Sequence, residues 1–122
     1  MAKDILRRVK FTPYRADPTF SLVLWYTGRT DRMNKDILGY RLTQHERSRK
    51  AKVLFEGEDF ASSPMHAIDS DETVAALMSF LTLRPGDTDP EYFERYTPQQ
   101  LEFAQQHGEA LGIEAMTRFG EL

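Results

Sequence analysis

The chain has no cysteine among its 122 residues. That absence removes disulfide staples, thiolate nucleophiles and every cysteine-based zinc site. Histidine is scarce: His45, His66 and His107 stand far apart, with no His-x-x-x-His pair to scaffold a metal on a helix. Long hydrophobic runs are missing too. The longest, Leu22 to Tyr26 and Val74 to Leu83 with polar breaks, fall far short of a membrane span. Residues Met1 to Arg8 lack the apolar stretch of a signal peptide, so a cytoplasmic setting is expected. No Gly-x-Ser-x-Gly elbow, internal repeat or low-complexity segment occurs.

What is present is an uneven distribution of charge. Residues 1–60 carry 13 Lys/Arg against 8 Asp/Glu, and residues 61–122 carry 3 against 11. The halves are therefore +5 and −8, which sum to the chain's −3. With 40% hydrophobic and 29% charged residues, the composition is that of one soluble globular domain spanning 1–122. A surface with two signs of charge can steer a charged partner.

The basic half alternates as strands do. Thr19 to Thr27 sends Phe20, Leu22, Leu24 and Tyr26 one way and Ser21, Val23 and Trp25 the other, which predicts a central strand covered on both faces. Leu6 to Tyr14, with Val9 and Phe11 opposite Arg8 and Lys10, predicts a strand nearer an edge, and Ala16-Asp17-Pro18 a turn. Gly28 to Lys35 reads as a polar connector, Ile37 to Thr43 as a third strand and Val53-Leu54-Phe55 as a short fourth. The connectors are too short for parallel crossovers, so an antiparallel meander is expected.

The acidic half shows helical signals. Asp69 is placed to cap a helix with Glu72 as the reciprocal arm of a capping box, and Ser70 is a competent cap one residue later. Val74, Leu77, Met78 and Leu81 form its apolar stripe, and Pro85-Gly86 stops it. Asp89-Pro90 predicts a short helix and Thr97-Pro98 a longer one, which Gly108 and Gly112 weaken. The expected fold is α+β: a four-stranded N-terminal antiparallel meander packed by two to three C-terminal helices. Phe20, Leu22, Leu24, Leu38, Tyr40, Leu42, Leu77, Leu81, Leu101 and Leu111 are the expected core.

Three constellations could carry chemistry. Ser62, Ser63, His66 and Asp69 have the residue types of a hydrolytic triad, but such triads are assembled from separate elements beside an oxyanion hole. Loop shaping and capping account for them. Asp87, Asp89 and Glu91 begin like a calcium loop, but Tyr92 and Pro98 stand where an EF-hand needs Gly and Glu. Carboxylates between Glu56 and Glu72 could serve a metal-dependent hydrolase, although helix capping explains those at 69–72. No catalytic residue, metal site or cofactor is expected.

The basic connectors are the best binding candidates. Arg29, Arg32 and Lys35 lie in one, Arg47, Arg49, Lys50 and Lys52 in the next, and Trp25, Tyr26 and Tyr40 could offer stacking surfaces. The leading expectation is a non-enzymatic protein-binding or homodimerising module that uses its oppositely charged surfaces. Single-stranded nucleic acid is the alternative partner, against which the acidic overall balance counts. No membrane partner is expected.

Overall fold

The computed structural model describes residues 5–63, 69–82 and 98–119. Four strands, β1 (Ile5–Phe11), β2 (Thr19–Thr30), β3 (Asp36–His45) and β4 (Lys52–Ser62), form one antiparallel sheet in the order β1-β2-β3-β4. Helix α1 spans Asp71–Leu81. A second helical segment runs as α2 (Pro98–Phe103), a π-wound turn (Ala104–Gly108) and α3 (Glu109–Phe119). The α+β meander expected from the pattern is the observed fold.

Register explains which face becomes the core. Val9 pairs with Leu22 and Leu22 with Leu42, which pairs in turn with Phe55. Directly opposed residues share a face, so this row is apolar across the whole sheet. It packs against Val74, Leu77, Met78 and Leu81 of α1 and against Phe103, Leu111 and Ala115 of the second helical segment. The period-two residues of the strands thus meet the helical stripe of α1 in one buried layer. Leu101, expected in the core, is only half-buried.

The opposite face carries the row Arg8, Val23, Arg41 and Glu56. Arg8 and Glu56 are exposed and Val23 half-buried, so β2 is central in order but is not covered equally on its two sides. Val23 and Trp25 had suggested two covered faces. Trp25 instead buries itself on the sheet, pairing with Gly39, whose missing side chain leaves room for the indole.

Strand β4 is much longer than the three residues expected. Glu56 and Glu58 continue the alternation outward, where Glu56 bonds Arg41 at 2.6 Å and Glu58 bonds Arg29 at 3.2 Å. Irregular register beside Leu54 and again between Gly57 and Phe60 obscures the period.

Helix α1 is capped by Ser70 rather than by Asp69: the Ser70 hydroxyl accepts from the Thr73 amide at 3.2 Å. Arg7 holds the turn from across the sheet, donating to the Asp69 carbonyl and pairing with the Asp71 carboxylate. The Asp69 carbonyl is thus a fixed acceptor, and the capping role falls to the next residue. The stop at Pro85-Gly86, the short helix at Asp89-Pro90 and the Thr97 cap lie outside the described residues; α1 ends at Leu81. Gly108 does not break the second helix but closes its π-wound turn, and Gly112 lies buried within α3.

The free edge of β1 is met by α3. The Thr12 amide donates to the Glu114 carboxylate at 2.8 and 3.1 Å, and the Arg118 guanidinium donates to the Lys10 carbonyl while stacking near Phe11 and Phe119. An otherwise unpaired strand edge is thereby partly satisfied by side chains.

A candidate binding cleft at the hairpin end of the sheet

In a meander, alternate turns share an end of the sheet. The β1–β2 and β3–β4 turns lie together, tied by the Arg47 amide donating to the Asp17 carboxylate at 2.7 Å. The β2–β3 turn lies at the other end, wound around Asp31, whose carboxylate accepts from the Met33 and Lys35 amides at 2.8 and 2.9 Å. The two basic connectors are therefore far apart.

At the β3–β4 end, the strand termini and the second helical segment enclose a cleft of about 850 Å³, within the size range of ligand sites. Leu54, Phe55 and Phe103 contribute its apolar wall, and Arg49, Lys50 and Lys52 its cationic rim. Glu46 and Glu102 add carboxylates. Glu46 is already engaged, accepting from Gln44 Nε2 at 3.1 Å and pairing with Arg49 at 3.4 Å. Lys50 and Lys52 are exposed and make no ion pair among the described residues. They are the cations that remain to meet a ligand.

His107 lines the same cleft from the π-wound turn. Such turns in otherwise α-helical segments frequently occur at functional sites. The imidazole packs against Phe103 (5.3 Å), Phe20 (5.4 Å) and Tyr14 (5.6 Å between centroids). Its Nδ1 lies 2.6 Å from the Tyr14 hydroxyl. Burial disfavours the imidazolium and lowers the His107 pKa below the usual histidine value, while the negative charge of Glu46 acts in the opposite direction.

Of the residues singled out from the sequence, Arg49, Lys50 and Lys52 line the cleft. Arg47 shares their turn, with its amide committed to Asp17. Arg29 pairs with Glu58, and Arg32 is exposed in the distant β2–β3 turn. Tyr26 is 43% exposed but lies toward the distant β2–β3 turn. Trp25 and Tyr40, 4% and 7% exposed, do not provide stacking surfaces. Each sits over a glycine on the neighbouring strand: a Cβ at Gly39 would fall 1.9 Å from the indole, and one at Gly57 2.6 Å from the Tyr40 hydroxyl oxygen. The glycines let both rings lie down on the sheet, which removes their faces from solvent.

The acidic candidates are also dispersed. Glu56 and Glu58 engage arginines on the sheet, while Asp71 engages Arg7 beside α1. Among the described residues no group of three acidic or imidazole side chains could hold a metal ion. Ser62 faces Thr73 at 3.5 Å; His66 lies outside the described residues, as do Asp87, Asp89 and Glu91. No described helix is long and apolar enough to cross a membrane.

In the sequence His107 is one of three scattered histidines without ligand spacing. Its only local signal is Phe103 one helical turn earlier; Tyr14 and Phe20 reach it from β1–β2. Compared with protein-family models, curated proteins and solved structures, the chain matches none of them.

Proposed function

We propose that this domain is a non-catalytic binding module that holds an acidic segment of a partner protein in the cleft at the β3–β4 turn. The observation that carries the reading is the pair Lys50 and Lys52, exposed without ion pairs beside the apolar wall of Leu54, Phe55 and Phe103. An apolar wall supplies burial, and unpaired cations at its rim supply sign selectivity and faster encounter. The chain's +5/−8 division favours the same class of interaction.

Fluorescence anisotropy with a labelled peptide of mixed Asp/Glu and apolar residues tests the reading. Binding is expected to weaken steeply with salt, to fail for a Lys/Arg peptide of the same apolar content, and to drop at least tenfold in Lys50→Glu with Lys52→Glu. Salt-insensitive binding, or binding unchanged in that double variant, overturns it. A salt-sensitive dimer in sedimentation would assign the acidic segment to a second copy of the chain. Stronger binding of a short oligonucleotide would favour nucleic acid, for which Trp25 and Tyr40 are buried and the exposed Tyr26 lies toward the opposite end of the sheet from the cleft.

A further inference from the structure

The cleft contains one polar ring whose orientation is fixed by its neighbours. His107 is held by rings on two sides, Phe20 from the sheet and Phe103 from its own helical segment. Its Nδ1 faces the Tyr14 hydroxyl at 2.6 Å. That hydroxyl has one proton to give and two neighbours within range, Nδ1 and the Gln106 carbonyl at 3.4 Å. Two arrangements fit these contacts: the hydroxyl donates to Nδ1, or it donates to the Gln106 carbonyl and accepts from an Nδ1–H. A neutral imidazole that accepts at Nδ1 carries its hydrogen on Nε2. Among the described residues Nε2 has no hydrogen-bond partner, and the ring lines the cleft beside Lys50 and Lys52.

We infer that His107 is a ligand-contacting residue of the cleft, its Nε2–H donating to a carboxylate of the acidic segment while Tyr14 fixes the tautomer. The inference rests on the proposed binding of an acidic partner and adds the residue that reads a carboxylate inside the cleft, behind the cationic rim. A neutral donor serves near neutral pH, and protonation converts the contact into a hydrogen-bonded ion pair. The charged groups around the ring are consistent with this. Burial disfavours the imidazolium and Glu46 from the β3–β4 turn favours it, while Arg49, Lys50 and Lys52 of the rim and Glu102 of the helical side line the same cleft. Tyr14 comes from the β1–β2 turn. A carboxylate bound at the ring favours the imidazolium, so proton uptake and partner binding reinforce one another.

Two measurements test this separately from the cleft reading. Long-range 1H–15N correlation on the free protein, which needs no ligand, is expected to show the Nε2–H tautomer for His107, with loss of that preference in Tyr14→Phe. A predominant Nδ1–H tautomer overturns the inference. Affinity for the acidic peptide is then followed from about pH 7.5 to about pH 5.5, where a histidine titrates and ordinary peptide carboxylates stay ionised. The wild type is expected to tighten about three- to tenfold, and His107→Gln to bind with little pH dependence while retaining its dependence on Lys50 and Lys52. If the peptide binds through the lysines with the same pH profile in both proteins, the cleft reading stands and the role of His107 is refuted. Absence of any peptide binding refutes both the cleft reading and the carboxylate contact.

Discussion

Trp25 occupies the space that a side chain at position 39 would fill. A Cβ built on Gly39 would lie 1.9 Å from both Cε2 and Nε1 of the indole, and the two residues are register partners on β2 and β3. Gly39→Ala therefore forces the indole or a strand to move, an overpacking that costs about 1–3 kcal/mol. Chemical denaturation should show that loss, accompanied by a red shift of the tryptophan fluorescence as the ring leaves its buried site. Unchanged stability and emission would contradict the packing described.

Ser70 supplies the capping oxygen of α1, so Ser70→Ala should cost about 0.5–2 kcal/mol. Asp69→Ala should cost much less, because the Arg7 guanidinium engages the Asp69 main-chain carbonyl, which that change leaves in place. Denaturation curves of the two variants side by side check the order; a larger loss at position 69 would return the cap to Asp69.

Glu114 accepts the Thr12 amide with both carboxylate oxygens. Its side chain is only 15% exposed, and Arg118 stands 3.8 Å away. Glu114→Ala removes the acceptor of an exposed amide, which water can then satisfy, and should destabilise the fold by about 0.5–1.5 kcal/mol. Hydrogen exchange of the Thr12 amide should accelerate in the variant by more than exchange in the centre of β2.

His107 gives stability a defined pH dependence. Its folded-state pKa lies below the ordinary histidine value, so the unfolded chain takes up the proton first as pH falls. The stability linked to neutral His107 is complete above about pH 6.5, the ordinary value, and is lost as pH falls through the lower folded value. The midpoint of urea unfolding should decline across that interval, and the decline should shrink in His107→Gln.

The architecture was legible because both periods are strong. Val9, Phe11, Phe20, Leu22 and Leu24 alternate without interruption, and Val74, Leu77, Met78 and Leu81 hold one helical stripe, so layers and order follow from local patterning. The length of β4 was not legible, since Glu56-Gly57-Glu58 reads as a loop until Arg41 and Arg29 are seen opposite the carboxylates. The cleft was half legible. Arg49, Lys50 and Lys52 are adjacent in sequence and were identified together, whereas Tyr14, Phe103 and His107 meet only through tertiary packing. The same limit misled the reading of Trp25 and Tyr40, whose exposure depends on a glycine in a neighbouring strand rather than on their own surroundings in sequence.

The contacts of α3 with β1 bear on how the chain reaches this structure. Thr12 and Glu114 are 102 residues apart, and Lys10 and Arg118 are 108 apart. During synthesis the first strand emerges long before the side chains that satisfy its outer amides and carbonyls exist. Until they arrive, β1 is a template on which another nascent chain can pair. Its own defence in that interval is Arg8 and Lys10, cations that repel a second copy of the same strand. Closure over so long a loop is slow compared with hairpin formation. Weakening the Glu114 and Arg118 contacts should therefore raise aggregation during expression more than the equilibrium stability of the purified protein would suggest.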